Sequence, residues 1–127
     1  MTKWIIVDDD VEDQEIFEIA LHEVDSNIEL VKFTNGIHAI ELLKKSDVHA
    51  FPKCIFLDLN MPQMDGRECI TELKNIKEVK NIPVYIYSTS SDNKDIKQLT
   101  ELGAERFITK PDSLPELISV LKEVASK

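Results

Sequence analysis

Short apolar runs alternate with longer amphipathic segments along the whole chain, and this pattern predicts a regular succession of strands and helices. Several of the apolar runs are bounded by Asn, Asp, Gly or Pro, which is typical of β-strands between turns. The longer segments repeat apolar residues at positions i, i+3, i+4 and i+7, which places these residues on one face of a helix. The predicted strands cover residues 3–7, 28–33, 51–57, 83–87 and 106–109, and the predicted helices cover residues 12–24, 37–45, 68–76, 92–102 and 114–127.

Five strands that alternate with five helices predict an α/β domain, with a parallel sheet covered by helices on both faces. The run 54–57 has no polar side chain other than a cysteine, as expected for a central strand, although periodicity alone does not separate it from a buried helix. Gly103 is predicted to end the fourth helix, and Ser113 with Glu116 is predicted to form a capping box at the start of the fifth. Because every connection is short, we expect residues 1–127 to form a single domain without an output domain.

Charge and composition restrict the classes of function. The formal net charge of −9 disfavours binding to nucleic acid, which requires a basic surface, and is compatible with cations or basic protein surfaces as partners. No apolar stretch approaches the ~20 residues of a membrane span, so we expect a cytoplasmic protein without membrane contact. Cys54 and Cys69 lie in apolar segments without metal-ligand spacing, which predicts reduced, structural cysteines.

Polar residues follow four of the predicted strands. Asp8 and Asp9 follow the first strand, Asp58 the third, Ser88 the fourth and Lys110 the fifth. Each residue alone has an ordinary explanation, as a helix cap, a capping hydroxyl or a solvated lysine. The carboxyl ends of parallel strands share one edge of the sheet, where open α/β sheets hold ligands, so we expect all five side chains to converge. Three neighbouring carboxylates repel one another, and Mg²⁺ with its oxygen ligands would relieve that repulsion.

Four motifs carry a resemblance to a known family. The chain resembles the receiver domain of two-component response regulators in the segments 7–9, 57–66, 83–89 and 108–111, which occur in the order and spacing of that family. The acidic series Asp8 to Asp10 with Asp13, together with Ser88-Thr89-Ser90, is similar to stand-alone receivers that are paired with phytochrome-like histidine kinases. The resemblance implies a flavodoxin-like, doubly wound (βα)5 fold with strand order 2-1-3-4-5.

The resemblance also implies a function for the converging residues. Asp58 would accept a phosphoryl group from a phosphohistidine of a sensor kinase or phosphotransfer protein, or from a small acyl phosphate. Asp9 would ligate Mg²⁺ directly and Asp8 directly or through water, with Asp58 and the backbone carbonyl of Asn60 completing the protein ligands. Mn²⁺ is expected to substitute. The protein would not be an enzyme beyond phosphorylating itself from small donors and losing the group again.

The same resemblance implies how a signal would leave the domain. Lys110 would pair with the phosphoryl oxygens, and Ser88 would donate a hydrogen bond to them after transfer. Phe107 occupies the position of the family's switch aromatic and would turn inward, changing the surface of residues 92–127. The signal would pass to an unknown downstream protein by this change or by onward phosphotransfer, without direct binding to nucleic acid.

Three other classes of protein share part of this pattern of residues. A phosphatase of the haloacid dehalogenase type also has a nucleophilic aspartate after a strand, but it expects a second aspartate where this chain has Asn60. A flavodoxin-like flavin carrier would need a phosphate-binding loop after the first strand, where Asp8 to Asp10 would repel a phosphate. A receiver that only binds partners is disfavoured by the full set of acidic residues, Ser88 and Lys110.

Overall fold

A computed structural model describes residues 2–127 as one five-stranded parallel sheet flanked by five α-helices. The strand order β2-β1-β3-β4-β5 confirms the predicted doubly wound topology. The strands are β1 Lys3–Val7, β2 Glu29–Phe33, β3 Cys54–Leu57, β4 Val84–Ser88 and β5 Arg106–Thr109. The helices are α1 Val11–Val24, α2 Gly36–Lys45, α3 Gly66–Lys74, α4 Asn93–Glu101 and α5 Leu114–Ala125, with a short 3₁₀ helix at Val48–Ala50 that the sequence pattern did not predict.

Capping residues determine where several of the helices begin and end. Helix α3 starts at Gly66, two residues earlier than predicted, because Asp65 and Glu68 form a reciprocal capping box there. The capping box predicted at α5 is only half formed. The Ser113 hydroxyl accepts a hydrogen bond from the Glu116 N–H, but among the described residues the reciprocal bond from the Ser113 N–H to the Glu116 side chain is not found. Gly103 follows α4 with φ of +111°, which confirms the predicted helix stop.

The core lies on both faces of the sheet. On one face, Ile55 and Leu57 of β3 pack under the apolar sides of α2, α3 and α4. On the other face, Phe56 packs under α1 and α5, and its ring lies 4.8–6.3 Å from the ring centroids of Phe17, Trp4, Tyr85 and Tyr87. Because both faces are covered, β3 is apolar at every position, as predicted for a central parallel strand.

Cys54 and Cys69 are buried and free, and burial raises the pKa of each thiol to about 12, so both behave as protonated core residues. Within residues 2–127, none of the helices has the length and apolar character needed to cross a membrane.

Candidate functional site

Parallel register brings the predicted site residues to one edge of the sheet. Val7 lies beside Leu57 and Leu57 beside Ile86, so the residues that follow these strands emerge together. The backbone confirms this arrangement, because the Asp58 N–H donates to the Val7 carbonyl at 2.9 Å and the Lys110 N–H donates to the Ser88 carbonyl at 2.6 Å. The strand ends that carry these residues therefore lie side by side, as predicted.

Three carboxylates form the centre of this edge. Asp8, Asp9 and Asp58 each place one oxygen within 4.8 Å of the others. Asp8 is fully buried and Asp58 is 8% exposed, whereas Asp9 is open to solvent. Asp8 Oδ1 accepts the Asp10 N–H at 2.9 Å, and Asp58 Oδ1 accepts the Leu59 N–H at 2.8 Å. These bonds fix the direction of both carboxylates.

The same oxygens suit a hard divalent cation. Asp8 Oδ2 is buried and, within residues 2–127, accepts no hydrogen bond. Lys110 Nζ lies 2.9 Å from this oxygen and neutralises its charge without hydrogen-bond geometry. A buried carboxylate oxygen that forms this ion pair, together with two neighbouring carboxylates, belongs to the kind of ligand set that Mg²⁺ or Mn²⁺ accepts.

Asp58 is strongly perturbed by its surroundings. Burial raises the pKa of this carboxyl to about 7, the Asp8 carboxylate adds to the increase and the Lys110 ammonium opposes it. Without a cation, a substantial fraction of the Asp58 carboxyl is therefore protonated at neutral pH. The ionised form would be favoured again by a cation among the carboxylates, and an ionised carboxylate is the form that acts as a nucleophile.

Lys110 is part of the carboxylate cluster rather than a solvated surface residue. Its Nζ lies 2.9 Å from Asp8, 2.7 Å from Asp13 and 3.8 Å from Asp58. Burial works against the charged ammonium, but the hydrogen bond to Asp13 and the neighbouring carboxylates raise the pKa of Lys110 above its ordinary range. A lysine with this pKa stays charged at any physiological pH.

Two residues of α1 support the site in ways that the sequence did not predict. Asp13 binds Lys110 across 97 residues of chain, and its only sequence signal was its place in the acidic series with Asp8 to Asp10. Gln14 is buried and donates through Nε2 to the carbonyls of Asp8 and Phe33, at 2.8 Å each. It thereby holds the start of the Asp8 loop against the end of β2.

The other predicted residues occupy positions around this cluster. Ser88 is fully buried at the end of β4, and its hydroxyl oxygen accepts the Ser90 N–H at 3.3 Å. Phe107 is partly buried and packs against the core under α2, α3 and α4. Asn60 lies two residues beyond Asp58 and is exposed, and the role of its carbonyl as a metal ligand stays a prediction.

Gly66 explains the tight turn after Asp58. A Cβ atom at this position would lie 2.7 Å from the Asp58 carbonyl oxygen and 2.9 Å from Leu59 Cα, so only glycine allows α3 to begin this close to the site. The Gly66 N–H donates to the Leu59 carbonyl at 2.7 Å. The start of α3 is thereby fastened to the loop that carries Asp58.

The geometry suits transfer of an anionic group to Asp58. Phosphoryl transfer asks a protein mainly to position the reactants and to neutralise charge. Here the Asp58 carboxylate is one of three neighbouring carboxylates and lies 3.8 Å from a lysine that stays charged.

Comparisons with known proteins agree with the fold. The family model of the response regulator receiver domain matches residues 4–122. Response regulator Rcp1 from Synechocystis sp. is 29% identical over 125 residues, covering 96% of this chain and 85% of that protein. The crystal structure of the Mn²⁺-bound form of Rcp1 has a TM-score of 0.84 at 28% identity, covering 99% of this chain and 93% of that chain. The phosphorylated cyanobacterial phytochrome response regulator RcpA has a TM-score of 0.86 at 32% identity, covering 98% and 91%.

The family match covers β2 to β5, all of β1 except Lys3, and the whole carboxylate edge. It gives no support to the phosphatase alternative. Receiver domains act in two-component signalling as signalling proteins rather than as enzymes in the usual sense. The chain belongs to the response regulator receiver domain family.

Proposed function

We propose that the domain accepts a phosphoryl group on Asp58 with the help of Mg²⁺, for which Mn²⁺ can substitute. The observation that carries this proposal is the position of the Asp58 carboxylate, between Asp8, Asp9 and Lys110 at one edge of the sheet. Support by similarity comes from RcpA, which is described as phosphorylated, and from Rcp1, which is described as Mn²⁺-bound.

Each residue has a defined part in the transfer. An Asp58 carboxylate oxygen forms a bond to phosphorus while the bond from phosphorus to a histidine nitrogen, or to the acyl oxygen of a small donor, breaks. The donor's leaving group takes the electron pair of the broken bond. Asp8, Asp9, Asp58 and the Asn60 carbonyl would hold the cation, which would supply positive charge to neutralise the phosphoryl oxygens. Lys110 neutralises a further oxygen.

The direct test is labelling of the wild-type protein by a small donor. Incubation with phosphoramidate or acetyl phosphate and Mg²⁺ should add one phosphoryl group, visible by intact mass spectrometry. Because the cation balances the carboxylates, labelling should be lost in EDTA and return with Mn²⁺. Equal labelling with and without a divalent cation would contradict the proposed metal requirement.

A protein donor needs a docking surface next to Asp58, and α1 offers one. Ile16, Ile19 and Leu114 are 46%, 55% and 39% exposed, and they border a hollow of about 290 Å³ that reaches Lys110. Grouped exposed apolar side chains of this kind mark interaction surfaces. We propose that the histidine kinase or phosphotransfer protein packs an apolar helix face here, with basic residues opposite the acidic side chains of α1.

Substitution of Ile19 should therefore separate protein donors from small donors. We expect Ile19→Ser to slow transfer from a phosphorylated histidine phosphotransfer protein by roughly tenfold, because a central apolar contact is lost. Labelling by phosphoramidate should be unchanged. Val48→Ser is the matched control, since Val48 is 57% exposed but precedes β3 at the opposite edge of the sheet. Equal effects of both substitutions on transfer would exclude α1 as the docking surface.

The readout is proposed to run through Ser88 and Phe107. Phosphorylation brings about two negative charges and new acceptor oxygens to Asp58, and the Ser88 hydroxyl can donate to one of them. Movement of Ser88 toward Asp58 would leave room for the Phe107 ring to turn inward, which changes the surface of α4, β5 and α5.

Amide exchange tests this readout. With Mg²⁺ and beryllofluoride as a phosphoryl mimic, exchange across residues 92–127 should change in the wild type. Ser88→Ala should keep labelling at Asp58 but lose most of that change, because the hydroxyl that couples the two sites is absent. Identical wild-type exchange with and without the mimic would favour a carrier that passes its phosphoryl group on without a change of shape.

A further inference from the structure

The loop between β4 and α4 is tied down at Ser90. The Ser90 hydroxyl donates to Asp95 Oδ2 at 2.7 Å and accepts the Asp92 N–H at 3.2 Å. The Ser90 carbonyl accepts the Thr109 hydroxyl of β5 at 3.0 Å. The Ser90 N–H donates to the Ser88 hydroxyl oxygen. Ser90 therefore connects the end of β4, the first turn of α4 and the end of β5.

Asp95, the α4 end of this network, is held in turn by α3. The Arg67 guanidinium binds Asp95 Oδ1 and also donates to the Gln98 side chain one turn further along α4. The side chains of Arg67 and Asp95 are 29% and 23% exposed, against 37% and 57% for the surface pair Arg106 and Glu123. A partly buried pair is less screened by solvent than a surface pair and restrains its neighbours more strongly.

We propose that Arg67 and Asp95 are positioning residues that hold the Ser88 hydroxyl in its resting place. Arg67 holds Asp95, and Asp95 accepts the Ser90 hydroxyl and so restrains the loop. Ser90 in turn restrains Ser88, because the Ser90 N–H donates to the Ser88 hydroxyl oxygen. This role rests on the proposed function of Ser88 as a donor to the phosphoryl group. Within residues 2–127, no hydrogen bond joins Ser88 to Asp58 in this state.

A restraint of this kind determines how much free energy is needed to move Ser88 toward Asp58. If Ser88 is to approach Asp58, the 88–92 segment has to shift, and that shift stretches the bond from Ser90 to Asp95. A ligand that prefers the shifted loop then binds with an apparent affinity reduced by the small population of that loop. Loss of the Arg67 contact should raise this population. It should therefore raise the affinity for a phosphoryl mimic, whereas general damage to the fold would lower it.

The first arm of the test uses the metal-free protein without any phosphoryl mimic. We expect Arg67→Leu to increase amide exchange at residues 89–92 by roughly fivefold, because local opening of the loop becomes easier. Arg106→Leu is the matched control, since it removes an arginine ion pair elsewhere on the surface. Asp95→Asn provides a second variant at the same contact. The proposal would be overturned if exchange at residues 89–92 were the same in Arg67→Leu and Asp95→Asn as in the wild type. It would also be overturned if Arg106→Leu increased that exchange as much as they do.

The second arm measures the affinity for beryllofluoride in the presence of Mg²⁺. Arg67→Leu should bind it roughly threefold to tenfold more tightly than the wild type. In Arg67→Lys the affinity should return most of the way to the wild-type value, because a lysine can still pair with Asp95. Ser90→Ala should raise the affinity similarly, and the double variant Arg67→Leu with Ser90→Ala should show no further gain, since both act through one contact chain. Unchanged or weaker binding would contradict the restraining role.

The two arms separate this inference from the proposed function. If the wild type neither binds beryllofluoride nor takes a phosphoryl group, the proposed function fails, and the exchange measurement still decides whether Arg67 and Asp95 restrain the loop. If the wild type is labelled and binds the mimic but the variants match it in both arms, only the positioning role is wrong.

Discussion

An Asp58→Asn protein is expected to take no phosphoryl group from phosphoramidate or acetyl phosphate. The substitution keeps the shape of the side chain but removes the anionic oxygen that attacks phosphorus, and it also removes one of the three carboxylates around the cation site. Intact mass spectrometry after incubation with Mg²⁺ measures the result. Asp112→Asn is the control, because Asp112 is an exposed carboxylate close to the same edge and should be labelled like the wild type.

The stability of the same variant separates loss of chemistry from loss of fold. Because the pKa of Asp58 rises from 3.8 to about 7 on folding, ionisation of this group costs stability in the metal-free protein. That cost is absent below the ordinary value of 3.8, grows as the pH rises toward 7 and is fully present above it. Asp58→Asn should therefore unfold at a higher temperature than the wild type at pH 8 in EDTA, and at nearly the same temperature at pH 4. Full labelling of this stable variant would remove Asp58 as the acceptor.

The second large effect concerns the cation. Asp9→Ala should weaken Mg²⁺ or Mn²⁺ binding by at least about tenfold, which corresponds to about 1.4 kcal/mol, because a ligand and a negative charge are both lost. Titration calorimetry measures the affinity. The fold should persist, since Asp9 is exposed, and removal of one repelling carboxylate should leave the metal-free protein at least as stable as the wild type.

Glu12 provides the control for the substitution of Asp9. Glu12 is exposed in the first turn of α1, outside the group of three carboxylates, so Glu12→Ala should change the affinity little. A similar loss of affinity in both variants would point to general attraction of cations by an acidic surface. Unchanged affinity in Asp9→Ala would exclude Asp9 as a ligand.

Much of the fold follows from local patterns that the sequence carries. The apolar run of β3 has to be buried on both faces, and the amphipathic segments have to cover it, so the alternation of elements leaves a parallel sheet as the consistent arrangement. The convergence of Asp8, Asp58 and Ser88 then follows from parallel direction alone, because each ends a neighbouring strand. Boundaries such as the start of α3 were less accurate, since they depend on which side chain caps the helix.

The contacts that support the site could not be predicted from local patterns of the sequence. Asp13 looks like one more acidic residue of a solvated helix until α1 packs against the sheet and brings it to Lys110. Arg67 and Asp95 lie 28 residues apart and meet only because α3 and α4 are neighbours at a particular rotation. Gln14 carries no periodic signal that distinguishes a buried amide from an exposed one.

By itself, the sequence determined the order of the elements, the edge where the polar side chains meet and the identity of the three carboxylates and the lysine. Only the tertiary structure decided that Lys110 is shared among Asp8, Asp13 and Asp58, that the pKa of Asp58 is raised, and that Arg67 reaches the Ser88 loop through Asp95. The physical reason is that hydrophobic periodicity is a property of short segments. Burial, charge coupling and hydrogen bonds between helices depend on distances that arise only when the segments pack.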